Sequence, residues 1–495
     1  MSQPLLVGVR SAADLSSAAR QRRRALAKLH APSDTSLGAE DVAVGRFSAT
    51  LERQRPEGAD AAIVVVIIFG EIRPLMDRYL TEEHVALRTR VNEFGREAIE
   101  PVARELDETG EFPWENVKSM ADMGLFGVPV PKSLGGMGHD YLSYILVIEE
   151  LAKFDASHSI TVSAHTTLGM SPILSFGSEE QKRRFVPPLA SGEVIGGFGL
   201  TEPGAGSDAS GTRTRAVRED GGYRINGSKI FITNAGIGEI FVATAVTTPG
   251  KGSKGISSFI VCKPTVDVAR ARALGCGHRE DLPFIDGVRA AEKEDKMGWR
   301  ASDTRELHFE DAFVPESHRL GEEGQGFINF MKTLDAGRIG VAALSLGLAE
   351  GALASAVRYT SEREQFGQKA WDFQQVQFRL ADLATDVEAG RHLTYHAAWL
   401  KDRGARYSKE AAMAKLFCSE LAMRATLGAI QVMGSDGYTT NYPVERMMRD
   451  AKICEIGEGT NEIQRMVIAR QLLREVMTEP VVKAVPAELR EPVSA

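Results

Sequence analysis

The chain has 495 residues, 43% hydrophobic and 25% charged, which is enough for a large core in more than one domain and ordinary for a water-soluble protein. A formal net charge of -8 and a pI near 5.8 argue against nucleic-acid binding as its main business, since neutralising phosphates takes clustered Lys and Arg. Cys262, Cys276, Cys418 and Cys454 lie far apart with no Cys-x-x-Cys pair, so neither a zinc site nor a disulfide framework is indicated and a reducing, cytoplasmic setting fits.

Residues 1–80 read as an N-terminal extension. Arg10, Arg20, Arg22, Arg23, Arg24 and Lys28 lie among Ala and Ser, a composition that mildly resembles a transit-type or nucleic-acid arm and fits a mobile, solvated tail better. The apolar run Ala61 to Phe69 is about half of the ~20 residues that cross a bilayer, so it predicts a buried strand or an adventitious apolar segment.

From 81 to 195 the pattern is helical. Thr81 is a candidate cap, with Leu87, Val91, Phe94, Ala98 and Val102 following at helical spacing. Residues 122–138, rich in Gly and Pro, read as a loop, and Ile145, Ile148, Leu151 and Phe154 mark another buried face.

Residues 196–318 change character. Asn226-Gly227 stands between two β-prone runs, the strongest short-range sign of a hairpin, because a type I′ turn needs positive φ at both central residues. Ile240 to Thr247, Ile256 to Lys263 and Arg305 to Val314 are further strand candidates, and the charged, poorly periodic excursion 264–296 reads as a surface loop. The helical period returns over 319–475, before a tail at 476–495. Val376, Leu380, Leu383 and Val387 form one stripe; Met413, Phe417 and Leu421, then Met423, Leu427 and Ile430, form another, so four long helices imply a bundle. His392 and His396 stand four apart without the carboxylate of a His-Glu-x-x-His site, the spacing of a plain surface or interface pair, and no metal is expected.

Near the end, Glu458 sits between Gly457 and Gly459, ahead of Thr460, a candidate helix cap. Alone, such an acid reads as a first-turn carboxylate complementing a helix N-terminus. The Gly-rich loop from Phe198 through Thr201 and Gly206 to Ser207 and Asp208 offers hydroxyls and bare amides suited to a flat heteroaromatic ring and a phosphate. Taken in α-β-α order with Phe231-Ile232-Thr233, Arg363-Glu-Gln-Phe-Gly, Gln431-Val-Met-Gly434 and the Glu458 turn, these motifs resemble the acyl-CoA dehydrogenase family, especially its short-chain members, over roughly residues 81–475.

The resemblance implies an α+β multidomain fold: an N-terminal all-α domain, a central β-domain and a C-terminal four-helix bundle. FAD would lie between the last two and across a subunit interface, in a homo-oligomer that is usually a tetramer. By motif position Phe198, Thr201, Gly206, Ser207, Phe231, Ile232 and Thr233 would meet the flavin and its ribityl or phosphate arm, with Phe231 stacking on the ring. Arg363, Phe373, Gln374, Gln431 and Gly434 would hold the adenosine and pyrophosphate end from the neighbouring subunit, and Thr460 and Glu462 complete the set. Glu458 matches the family's base, removing the α-proton of an acyl-CoA thioester as a hydride leaves for FAD to give the trans-2-enoyl-CoA. Ser207, Asp335, Arg338 and Gly459 would contact substrate, although Asp335 and Arg338 also have the (i, i+3) spacing of a plain helical ion pair. Some branches place the base in the first bundle helix, and Gly337 occupies that position here. Electrons would pass to electron-transfer flavoprotein, with no membrane or nucleic-acid partner expected. Gly457 departs from the family's frequent Tyr and leaves the acyl length and branching open. An acyl-CoA oxidase, or a non-catalytic flavoprotein binding nucleic acid through its N-terminal arm, are the rival readings.

Overall fold

A computed structural model describes residues 80–478. The basic segment, the run Ala61 to Phe69 and the end of the tail lie outside the described residues.

Seven helices come first: α1 Glu82–Phe94, α2 Ala103–Thr109, α3 Trp114–Asp122, α4 Tyr141–Ala152, α5 Ala156–Ser163, α6 Ser171–Phe176 and α7 Glu179–Ala190. Thr81 caps α1 in a capping box with His84, and the His84 ring also reaches Asp140 at 3.0 Å. Asp140 in turn caps α4, so one hydrogen-bonded chain fixes two helix starts. The expected face Leu87, Val91, Phe94, Ala98 is kept only as far as Val91. A π-turn over Gly95–Ile99 moves burial to Gly95 and Ile99, because a Cβ on Gly95 would lie 2.2 Å from the Phe154 ring. Residues 122–138 are mostly irregular, as expected, with two short 3₁₀ turns. Helix α4 is apolar almost all round and buried along its whole length, as a helix packed on several sides must be.

The central domain is an eight-stranded sheet of β1 Gly196–Gly199, β2 Arg215–Glu219, β3 Gly222–Thr233, β4 Ile240–Val246, β5 Ile256–Cys262, β6 Val288–Lys293, β7 Thr304–Pro315 and β8 Arg319–Leu320. Its order is β6-β7-β3-β2-β4-β5-β8, with β1 parallel to β4. One face encloses Tyr223, Phe241, Phe259 and Phe309; the other packs Val242 and Ile260 against Ile173, Phe185 and Leu189 of α6 and α7. That second core seats the sheet on the helical domain.

Two expectations fail here. Asn226-Gly227 is not a hairpin turn: β3 runs straight through it, and the β2–β3 turn is Asp220-Gly221, with Gly221 at φ 76°. Asn226 instead trades hydrogen bonds with Asp311, and Gly227, at φ 145° against Thr214, makes a bulge in the β3–β7 ladder. The excursion 264–296 is not a bare surface loop either. It contains α8 Val268–Leu274 and β6, and it buries Ala271, Cys276, Leu282 and Ile285.

The chain then enters α9 Gly326–Glu362, and a two-stranded hairpin, β9 Glu364–Gln365 and β10 Gln368–Lys369, leads to α10 Gln374–Asp402 and α11 Ser408–Met433. Short α12 Ser435–Tyr438, then α13 Val444–Cys454 and α14 Asn461–Thr478, complete the bundle. Helix α9 is long and apolar enough to cross a membrane by composition, but 83% of its most apolar window is buried inside the protein. On α10 the stripe Leu380, Leu383, Val387 faces inward as expected. On α11 the stripe holds only in part: Leu421 is buried, Met413, Phe417, Met423 and Ile430 are half-buried and Leu427 is half exposed, while the fully buried face is mostly small, with Ala411, Ala414, Lys415, Cys418, Ala422, Ala425 and Ala429. Small side chains there let α9 and α11 approach closely. His392 and His396 are both exposed.

Candidate active site

Helix α13 ends at Cys454, and the chain must turn back before α14. Ile456 and Gly457 both donate to the Ile453 carbonyl, and Thr460 closes the turn by accepting from the Ile463 amide at 3.4 Å. Of the two glycines only Gly459 uses its freedom, at φ 95°; the other left-handed residue is Glu458 itself, at φ 53°. A non-glycine residue in that region costs about 1–3 kcal/mol, so packing around it must over-determine the conformation.

That conformation drives the carboxylate into α9. A Cβ placed on Gly337 would lie 2.0 Å from Glu458 Oε2, so the acid occupies the space that any other residue at 337 would fill. Oε2 is enclosed and has no hydrogen-bond partner among the described residues. Burial pushes the acid up to about 7, although Arg338 and Lys415 pull it the other way. An unpaired, dehydrated carboxyl that titrates near neutrality is the state expected of a proton acceptor.

Arg338 is buried and bonds Asp335 Oδ1 at 2.6 Å, while its Nε has no partner among the described residues and Asp335 also accepts from Ser408. The (i, i+3) pair therefore forms, and it leaves Nε unclaimed. Burial holds the Arg338 guanidinium below its usual range. Tyr141 donates to the Ala336 carbonyl at 2.8 Å and Tyr144 to Ser163 Oγ at 3.2 Å, and both phenols are raised by burial with Glu458 adding to the effect. A Cβ at Gly340 would already lie 2.8 Å from Ser163 Oγ and 3.3 Å from the Tyr144 hydroxyl. Gly337 and Gly340 share one face of α9, so Ser163 and the Tyr144 hydroxyl lie one helical turn along that face from the spot Glu458 occupies.

The Gly-rich loop leaves β1, whose Gly196 amide donates to His165 Nδ1 at 2.9 Å. Glu202 anchors the loop: its carboxylate takes Lys229 Nζ at 2.6 Å, the Arg213 amide at 2.6 Å, the Thr214 amide at 3.0 Å and the Thr212 hydroxyl. Thr201 is fixed through its carbonyl, which accepts from Ile230 at 2.8 Å, while Gly204 and Gly206 have open space where a Cβ would stand and Ser207 is exposed. On the neighbouring strand Ile232 is buried, Thr233 half-buried, and Phe231 is 62% exposed with φ at 57°. An aromatic ring turned outward in a left-handed conformation could stack on a flat ring. Phe198 points elsewhere, stacked on Phe330 at 4.9 Å.

Arg363, Gln374, Gln431 and Gly434 are exposed, with Phe373 half-buried beside Phe366. Tyr359 lies within the electrostatic reach of Arg363 and donates to Asp436 Oδ2, two residues after Gly434, which brings the 363 and 434 segments to one end of the bundle. The β9–β10 hairpin carries Phe366, 94% exposed, at its tip. Thr460 and Gly459 belong to the base turn, and Glu462 is exposed in the first turn of α14.

Sequence reading missed Tyr141, Tyr144, Lys415, Asn461 and Gln464, all of which border the turn. For Lys415 a signal existed: it falls in phase with the small residues Ala411, Ala414, Cys418 and Ala422 that mark the buried face of α11.

The chain matches three family profiles: acyl-CoA dehydrogenase N-terminal domain over residues 81–193, middle domain over 197–312 and C-terminal domain over 324–473. It is 47% identical over 399 residues to the short-chain specific acyl-CoA dehydrogenase of Clostridium acetobutylicum, covering 81% of this chain and 100% of that one. Among solved structures, butyryl-CoA dehydrogenase from Megasphaera elsdenii is 45% identical with a TM-score of 0.74, covering 80% of this chain and 99% of that one. A chain in the structure of the electron transferring flavoprotein of Acidaminococcus fermentans is 47% identical with a TM-score of 0.75, over 80% and 99% of the two chains. The chain therefore belongs to the acyl-CoA dehydrogenase family of FAD-dependent oxidoreductases.

Proposed function

We propose that this enzyme converts a short, saturated acyl-CoA to its trans-2-enoyl-CoA, with Glu458 as the base that takes the α-proton. The observation that carries this is the Glu458 carboxyl: buried, without a partner at Oε2, raised to about 7 and lodged against Gly337. At neutral pH a substantial fraction is ionised, yet its proton affinity is well above that of an ordinary carboxylate, which suits it to remove a weakly acidic proton next to a thioester carbonyl. The Glu458 backbone N–H, in the same turn, would meet the charge that develops on the thioester oxygen. Arg338, with Nε unclaimed, and Asp335 would face the phosphopantetheine arm, with Ser207 and Gly459 as further substrate contacts.

The residues present fit FAD. Phe231, Thr201, Thr233 and the uncrowded Gly204–Ser207 loop would hold the flavin and its phosphate arm, with Phe198 and Ile232 shaping the strands behind them. Bound FAD supplies the acceptor for the electron pair that leaves the β-carbon, which no side chain can accept. Arg363, Phe373, Gln374, Gln431 and Gly434 would hold the adenosine end across a subunit boundary, with Thr460 and Glu462 at the turn. The exposed rings of Phe366, Phe378 and Tyr438 support a homo-oligomer, which we take to be a tetramer. The likeness to a chain found with electron transferring flavoprotein supports that protein class as the acceptor. Four free, buried cysteines are compatible with work in the reducing cytoplasm.

The filled space at Gly340 favours short acyl groups. Anaerobic addition of straight acyl-CoAs from butyryl to palmitoyl, with isobutyryl and isovaleryl, should bleach the flavin fastest at the short end. Bleaching only by long chains would refute the chain-length reading, and no bleaching of the loaded enzyme by any of them would refute the reaction. Rapid reoxidation in air with peroxide would reassign the enzyme as an oxidase.

A further inference from the structure

The base turn does not rest on apolar packing alone. Beneath it, on α11, lies Lys415, fully buried in a bundle face made mostly of small residues, among them Ala411, Ala414, Cys418, Ser419 and Ala422. Its ammonium donates to the Gly459 carbonyl at 3.0 Å and to Asn461 Oδ1 at 2.9 Å, the residues one and three places after Glu458. Each acceptor takes a second bond: Gly459 O from Gln464 Nε2 at 2.7 Å, and Asn461 Oδ1 from Ser419 Oγ at 3.1 Å. Asn461 and Gln464 are themselves buried. A dehydrated lysine is costly unless its bonds and charge are used, and here both are directed at the turn that holds Glu458 left-handed.

We propose that Lys415 is the positioning residue of the base: anchored on Gly459 and Asn461, its ammonium locks the turn that aims Glu458 at α9 and supplies one of the two cations that balance the carboxylate. The inference rests on Glu458 being the base. The groups facing Glu458 are Arg338 from α9, Lys415 from α11, and Tyr141 and Tyr144 from α4. Those facing Lys415 are Arg338, Cys454 and Glu455 at the end of α13, Glu458, and Glu462 at the start of α14. Burial lowers Lys415 to about 8, so it remains largely charged at neutral pH and its charge acts on the acid. Arg338 already bonds Asp335, whereas Lys415 is tied to the same turn as the base. Removing the lysine therefore leaves Glu458 with a higher proton affinity and a looser backbone.

The test uses full-length, flavin-loaded enzyme and the pH dependence of flavin reduction by butyryl-CoA. Lys415→Met removes both bonds and charge; it should lower the limiting rate about 10–100-fold, with KM changed far less, and move the pH midpoint up by about one unit. Lys415→Gln keeps a donor without the charge, so it should recover part of the rate while still shifting the midpoint upward; it is the variant to read if the methionine protein fails to fold or to keep flavin. A loaded variant of either kind with the parent's midpoint and rate would overturn the inference. Glu458→Gln run alongside separates the two claims: if it turns over, the base assignment falls; if it is dead while the lysine variants are unshifted, only the role of Lys415 falls.

Discussion

Glu202 and Glu458 both sit in loops beside the proposed flavin site and both are shielded from water, yet the protein drives their proton affinities in opposite directions. Burial pushes each upward. At Glu202 the charge of Lys229 and bonds from Lys229, Thr212 and Thr214 outweigh it, and the acid is held down to about 2. At Glu458 two cations oppose burial without either bonding Oε2, and the acid stays up at about 7. What most sets the structural carboxylate apart from the poised one is the number of donors that reach its oxygens: four on Glu202, none on Glu458 Oε2. Glu202 is satisfied because it must hold the Gly-rich loop still; Glu458 is left hungry.

Breaking the satisfied pair should have the largest effect on the fold. Lys229→Met leaves Glu202 buried against bonds it can no longer balance, and should cost about 3–5 kcal/mol in chemical denaturation while loosening flavin retention. A variant as stable and as yellow as the parent would mean that the loop is anchored elsewhere. Next comes the space that the hungry acid occupies. Gly337→Ala puts a methyl where Oε2 now lies, and because alanine favours a helix by about 1 kcal/mol over glycine, stability should hold or rise. The limiting rate of flavin reduction should nevertheless fall about 10–100-fold as the carboxylate is displaced.

The smallest effect is on stability against pH, and its sign differs between the two acids. Glu202, lowered in the folded state, contributes stability above its unfolded pKa, near 4.5, that is lost as pH falls toward about 2. Glu458, raised in the folded state, costs nothing below that value; the penalty grows as pH rises and is complete above about 7. Glu458→Gln should therefore raise stability by about 1–3 kcal/mol at slightly alkaline pH and leave it unchanged in acid, as thermal melts at the two pH values will tell.

The sequence was readable where chemistry is local. The Thr81 cap, the stripe on α10 and the Gly-flanked acid depend on neighbours in the chain, and those signals pointed to the right elements. Asn226-Gly227 carried an equally strong local signal and was overruled, because the β3–β7 ladder and Asp311 used the dipeptide as a bulge. Lys415 illustrates the other limit. Its inward phase could be inferred from the small residues around it, but the carbonyl it meets lies 44 residues away in sequence, across the bundle. The same is true of Gly337, whose missing side chain matters only because α13 returns Glu458 to that spot.

The most direct measurement is single-turnover flavin reduction by butyryl-CoA in Glu458→Gln, made anaerobically beside the parent protein. The variant should retain its flavin and bind the thioester while the reduction rate falls by several orders of magnitude. Reduction at the parental rate would contradict the assignment of Glu458 as the base.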